Sequence, residues 1–541
     1  MKPTAKSAAS FLSGASVLTL SAVAVKIIGL FYRIPMLSHL GTEGMGYFNT
    51  AYELYALFCV ISTAGLPVAM SVLISRMESE GQIGGARRVF GISLALFAGV
   101  GLCGTLLLWG LADVFAGLLG SPASAACMRA VSPTVLLICL SSAFRGYFQG
   151  KRRMLPTAIS QVIEATGKLV LGLTLAAYAT KVGKDLPTSA AYAVMGLTLG
   201  TLISLGYLWA HKTLADRSEP AGRLPSADTP ASRTLLKQLL ATAIPITMSA
   251  GLISLTKCVD LALIQHRLQA VGYTAAEASS LYGCYSTLAV PVFNILPSLS
   301  TSVALSVTPA LSAALQKGEE GQEELRRNAA SALRVTLLLA IPAALGLAVF
   351  SEDILSLLFA GEPHAVAQAA PWLSCLGLSV PAACLVTVTG AMLQAAGRAG
   401  YPMISMLLGV GVKIVLSYLL LGAEGWGLAG APVSSLACDT VIVLVNLCFI
   451  ARFAPAMLPP PREGFSLVAL PTVLSVLSVG MVKVLRCVTG LEGVTSMRTL
   501  GTVVSVAALY GAGVLLTLLR KKSLSIKKKE DQHESADPNR A

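Results

Sequence analysis

Four lysines sit where a lysine is costly. Lys26, Lys168, Lys257 and Lys413 each lie well inside a long apolar run. Runs of about 20 residues read as membrane-spanning helices, and a lysine at the centre of one costs about 2.5–3.5 kcal/mol. Four together cost on the order of 10–14 kcal/mol if nothing compensates them. That is tolerable only where the side chains face a wet cavity or have partners. A cavity lined by compact ammonium groups suits an anion, because lysine meets phosphate as a point charge. Cations supplied from two sides suit a diphosphate better than a monovalent ion, and they disfavour a cationic drug.

Acidic residues near these lysines leave a second reading open. Glu164 and Lys168 are spaced i,i+4 and share a helix face, and Lys257 and Asp260 are spaced i,i+3. Asp439 could reach Lys413 from the following run, and Glu53 could approach Lys26, which has no acid on its own helix. Such pairs could simply hold helices together. Arg33, one to two turns beyond Lys26, could be a ligand or could snorkel to outer headgroups.

The elements that must position these side chains follow from composition. The chain has 541 residues, of which 55% are hydrophobic and 12% charged; a soluble domain carries about 25% charged residues. The mean hydropathy is +0.73. Apolar runs bounded by charge or by Pro and Gly breaks give about fourteen spans, near 11–37, 47–75, 89–111, 127–148, 156–180, 188–210, 236–264, 280–314, 330–350, 368–394, 402–421, 426–450, 465–485 and 499–519. The first is too long for a signal-peptide core and lacks a cleavage site. The expectation is an all-α polytopic membrane protein.

Lys and Arg cluster in alternate connections, such as Arg87-Arg88, Lys151-Arg152-Arg153 and Arg326-Arg327. The positive-inside rule then puts both termini in the cytoplasm. The net charge of +13 mostly follows from this rule. No aromatic-plus-basic module points to nucleic acid. The eleven cysteines are scattered without a CxxC or zinc spacing, and read as small apolar residues. Five dispersed histidines and no acidic metal motif count against a membrane-embedded enzyme. No cofactor is expected.

The chain reads as written twice. Tyr52 and Tyr55 match Tyr282 and Tyr285 at an offset of 230 residues, and Leu66-Pro67 matches Leu296-Pro297. Lys26 matches Lys257, Gly41 matches Gly272, Gln149 matches Gln394 and Lys168 matches Lys413, with the offset drifting to about 246. Each copy has six spans, an even number, so both have the same orientation and form parallel repeats about an axis along the membrane normal. The expected organisation is a six-helix lobe over 1–212, a linker over 213–233, a second six-helix lobe over 234–453, two extra helices over 454–520 and a basic tail over 521–541. Pairs of lysines would meet across the axis. Gly65, Pro67 and Pro297 sit at repeat-matched places where helices could bend.

The segments GTEGMG (41–46), STAGLPVAMS (62–71) and FRGYFQGKRRMLPTA (144–158), with the stretch 31–76 as a whole, resemble the bacterial polysaccharide-transport and stage V sporulation protein B family. That family stands beside the lipid II flippases in the multidrug/oligosaccharidyl-lipid/polysaccharide exporter superfamily. The resemblance reaches to about Arg520. It implies a two-lobe, fourteen-helix fold and alternating access. It also implies movement of a polyprenyl-diphosphate-linked saccharide, typically a peptidoglycan precursor, across a bacterial cell membrane for cell wall or spore cortex synthesis. Lys26, followed by Gly29, falls on a cavity-lining position of the lipid II flippases, and Arg33 is displaced by about one residue from a second. Cys59 or a neighbour stands where those flippases carry an arginine. Asp260 and Asp439 fit part of a sodium site of some relatives, but the eleventh span offers Lys413 in place of an acid. A cation-coupled multidrug antiporter is the alternative, although the first span lacks the acid it needs. A scaffold for cell-wall synthases is a further reading, with those synthases and membrane lipids as partners.

Overall fold

A computed structural model describes residues 5–80, 83–218, 232–423, 425–488, 501 and 504–515. Most of the expected linker and all of the basic tail lie outside the described residues. The chain runs through α1 (Ala5–Thr63), α2 (Leu66–Ser79), α3 (Ile83–Gly110), α4 (Ala112–Leu118), α5 (Ala125–Gly150) and α6 (Leu155–Lys181). It continues with α7 (Leu186–Ser218), α8 (Ser232–Ala270), α9 (Ala275–Cys284), α10 (Val290–Phe293), α11 (Ile295–Gln316) and α12 (Gln322–Val349). It ends with α13 (Ser351–Leu358), α14 (Pro363–Ala395), α15 (Tyr401–Leu421), α16 (Gly430–Phe453) and α17 (Pro461–Val488). No strand occurs among the described residues.

Twelve segments among the described residues are long and apolar enough to cross a membrane. The first, Leu20–Ser79, has 60 residues, or about 90 Å of helix, against a hydrocarbon core of about 30 Å. It does not cross once. Gly41 leaves the helical region inside α1, with φ 65° and ψ −179°. The rings of Tyr32 and Phe48, sixteen positions apart, have centroids 6.0 Å apart, whereas straight helix would separate them by about 24 Å. The chain turns back at Gly41, so α1 holds the first expected span and most of the second, which α2 completes. A shorter apolar helix, Val504–Leu515, stands where the fourteenth was expected.

Tertiary contacts gather these helices into two compact units. One comprises Met1–Thr287 with Ser417–Leu428, and the other Leu288–Leu416 with Ala429–Ala541. In the first, α7 packs along α5 and α6, while α1 packs on α6, α8 and α9. In the second, α14 packs on α11, α12 and α16 around buried Leu325, Leu333, Met392 and Ile450.

Small residues let the first unit's helices approach closely, as they do in membranes generally. Gly196 and Gly200 form a GxxxG stripe on α7. A Cβ on Gly200 would press on the α6 backbone at Glu164 and Lys168, and one on Gly196 would collide with Gly172. Gly200→Leu is therefore expected to destabilise the protein by about 1–3 kcal/mol, read as a lower unfolding midpoint in detergent. Asp185 precedes α7 and accepts from the Thr188 amide at 3.4 Å; the hydrogen bond from Thr188 holds its carboxyl below the usual range.

Backbone geometry repeats where the sequence does. Gly41 and Gly272 both have positive φ, at 65° and 110°. At the end of α5, Arg152 N donates to Gln149 O and Arg153 N to Phe148 O, and at the end of α14 Gly397 N donates to Gln394 O and Arg398 N to Leu393 O. Both are the same left-handed helix stop. Arg152, at φ 56°, stands where the second copy has Gly397, at φ 72°. A non-glycine residue there costs about 1–2 kcal/mol, less the entropy that glycine loses on folding. Arg152→Gly is expected to stabilise by about 0.5–1 kcal/mol, checked by denaturant titration.

Candidate functional site

The reversal at Gly41 brings both halves of α1 against α6, and Lys168 of α6 lands among their aromatic rings. Its Nζ lies 4.3 Å from the ring centre of Tyr52, 5.0 Å from Tyr32 and 5.7 Å from Phe48. Phe48 and Tyr52 are stacked at 6.2 Å with a 10° interplanar angle, so they present their faces together. A desolvated cation–π contact is worth about 2 kcal/mol. Three of them are enough to offset the cost of a lysine in mid-membrane. An aromatic cage, not a carboxylate, accommodates this lysine.

The acid expected to pair with Lys168 is committed elsewhere. Glu164 Oε2 accepts from an Arg145 guanidinium nitrogen of α5 at 2.6 Å, with side chains only 19% and 12% exposed. Arg145 also donates to Ser160 Oγ at 3.0 Å and Ser204 Oγ at 3.3 Å, which ties α5, α6 and α7 together. Glu164 stays within electrostatic range of Lys168, as does Arg33. Sequence spacing offered only the i,i+4 partner. Arg145 lies near the end of its own apolar run, where it reads as a topology charge.

Arg33 also has no carboxylate at ion-pair distance among the described residues. One guanidinium nitrogen donates to the Ser286 carbonyl at 2.6 Å. Glu53, Tyr52 and Tyr282 are its electrostatic neighbours. Ser286 lies in a π-helical turn, Tyr285–Ala289, that follows α9. Asn49 donates to Ser286 Oγ at 2.9 Å and to Thr287 Oγ1 at 2.8 Å. The helices can lie this close because a Cβ on Gly46 would collide with the Ser279 carbonyl, and one on Gly283 with the Thr42 carbonyl. Thr42 and Ser280 share a hydroxyl hydrogen bond of 2.7 Å. Nothing in the apolar periodicity marks Asn49, Ser286 or Thr287.

The other expected residues are distributed as follows. Lys26 on α1 and Lys257 on α8 are exposed in the first unit, without an ion pair among the described residues. Lys257 and Glu53 both act electrostatically on Cys258, whose thiol approaches the Glu53 carbonyl at 3.6 Å. Asp260 acts on Tyr282. Lys413 and Asp439 lie in the second unit and feel each other's charge. Gly65 stands at the break before α2, packed so tightly on α8 that a Cβ would meet the Ala243 carbonyl. Pro67 is in the first turn of α2 and Pro297 in the first turn of α11, each just past a break in its span.

A family model described as polysaccharide biosynthesis protein matches residues 11–315. The chain belongs to that family. A second model, MatE, matches residues 286–419. The chain is 26% identical to stage V sporulation protein B of Bacillus subtilis (strain 168) over 457 residues, covering 82% of this chain and 84% of the relative. It is 26% identical to the lipid II flippase MurJ of the same organism over 427 residues, 76% of this chain and 77% of that one. A solved lipid II flippase MurJ in an inward closed conformation superposes with a TM-score of 0.68 at 14% identity, covering 92% of this chain and 98% of the other. The last likeness shows the fold. Together they place this family member among membrane transporters of the flippase and exporter type, not among enzymes.

Proposed function

We propose that this family member carries a polyprenyl-diphosphate-linked saccharide, of the lipid II kind, from the inner to the outer leaflet by alternating access. The observation that carries the reading is the state of Lys168 and Arg33. Both are intramembrane cations, one held by rings and one by a carbonyl; Glu164, the acid beside Lys168, is neutralised by Arg145, which leaves Glu53 as one acid against the two cations. The site therefore holds surplus positive charge in a low-dielectric setting, where a diphosphate gains most. Lys26 and Lys257 add exposed cations in the same unit.

In this reading both termini are cytoplasmic, the two six-helix repeats rock to face outward, and the breaks at Gly65, Pro67 and Pro297 absorb the bending. Within the second unit, a cavity of about 380 Å³ is lined by Leu338, Pro342, Phe350, Val506 and Tyr510. It is apolar and suits part of a prenyl chain. The product serves cell wall or spore cortex synthesis, and cell-wall synthases are the partners such a role would bring.

The match of MatE to residues 286–419 favours a second reading, a cation-coupled multidrug antiporter, with Asp260 and Asp439 as its coupling acids. A competition experiment separates the two. Purified protein is expected to be stabilised by farnesyl diphosphate and not by organic cations such as ethidium. Stabilisation by ethidium alone would favour the antiporter.

A further inference from the structure

We infer that Asn49 is a positioning residue for Arg33, acting through the π-helical turn of residues 285–289. The inference rests on Arg33 being part of the anion site.

The chemistry begins with a missing donor. In the i→i+5 register of a π-helix, the carbonyl of Ser286 would bond the amide of residue 291. That residue is Pro291, which has no N–H. The Ser286 carbonyl is left open inside the membrane, where an unsatisfied backbone group is heavily penalised. Arg33 fills the vacancy at 2.6 Å.

The carbonyl is useful to Arg33 only if the turn is held still. π-turns are irregular, and their extra residue gives the helix a choice of register. Asn49 removes that choice. Its amide spans two successive side chains of the turn, Ser286 Oγ and Thr287 Oγ1. Asn49 is 4% exposed and Thr287 fully buried, so no solvent competes for these bonds. The path runs from the second half of α1, through the turn, and back to the first half of α1. It fixes one guanidinium nitrogen and leaves the other edge of the Arg33 fork to face an anion. Without it, the guanidinium is free to swing toward Glu53, its acidic neighbour, and the surplus charge of the site is lost.

The test is a double-mutant cycle on pyrophosphate affinity, using full-length protein in nanodiscs with a thermal melt for each variant. Arg33→Gln is expected to weaken pyrophosphate roughly tenfold or more. Asn49→Ala and Thr287→Val are each expected to weaken it three- to tenfold in the wild-type background and not at all when Arg33 is already Gln. Thr287→Ser, which keeps the hydroxyl, is expected to bind as wild type. Thr287→Val is nearly isosteric and keeps the test alive if Asn49→Ala does not fold. If Asn49→Ala and Thr287→Val bind as wild type while Arg33→Gln is impaired, the positioning role is wrong. The same holds if they weaken binding equally in the Arg33→Gln background. If Arg33→Gln itself binds normally, Arg33 is not in the anion site and the inference falls with that reading.

Discussion

Lys168→Met is expected to abolish most anion binding while leaving the fold intact. A charged contact to a ligand is worth about 1.5–3 kcal/mol, so pyrophosphate affinity should fall roughly ten- to a hundredfold. Stability should change little. Methionine is close to lysine in length and packs well against aromatic rings; it gives up the cation–π contacts together with the charge whose cost of about 2.5–3.5 kcal/mol those contacts offset. The cage of Tyr32, Phe48 and Tyr52 would receive the thioether in place of the ammonium. A cage that exists only to tolerate a structural cation predicts no loss of binding. Pyrophosphate titration and thermal unfolding of the same preparation separate the two.

Breaking the Arg145–Glu164 pair is expected to do the opposite. Glu164→Gln should cost about 3–5 kcal/mol of stability, because it leaves Arg145 as an uncompensated buried charge. Ser160 and Ser204 retain contact with the guanidinium but carry no charge to balance it. Replacing both partners, Arg145→Met with Glu164→Met, should return stability to near the wild-type value, since a matched apolar pair avoids both desolvation costs. Denaturant unfolding in detergent measures each. Were Glu164 the working partner of Lys168 instead, Glu164→Gln would change pyrophosphate affinity at nearly constant stability.

These two predictions mark where sequence reasoning reached and where it stopped. The spans were legible because length and hydropathy decide them, and the reading of a duplication rests on polar and turn residues that recur at a drifting offset. The structure adds matched left-handed turns at Gly41 and Gly272 and at Arg152 and Gly397. The partners of the lysines were not legible in the same way. Spacing on one helix says which side chains share a face, and Glu164 does share a face with Lys168. It cannot say that a neighbouring helix carries a stronger competitor, and Arg145 is one. The cage is built from residues 32, 48 and 52, which meet only because Gly41 reverses the chain. A lysine inside an apolar run was a clear signal; the signal for its rings was spread over two spans. The role of Pro291 was visible as a residue type, yet its consequence, an open carbonyl at Ser286, depends on a π register that apolar periodicity does not encode.

The central claim is that uncompensated intramembrane cations carry an anionic lipid headgroup across the bilayer. It is tested most directly by reconstituting the protein in liposomes with a fluorescent polyprenyl-diphosphate sugar and following protection of the probe from an external quencher. The account predicts movement by the wild type and movement reduced at least tenfold by Lys168→Met and by Arg33→Gln, at equal incorporation and thermal stability. Wild-type rates in both folded variants would contradict it.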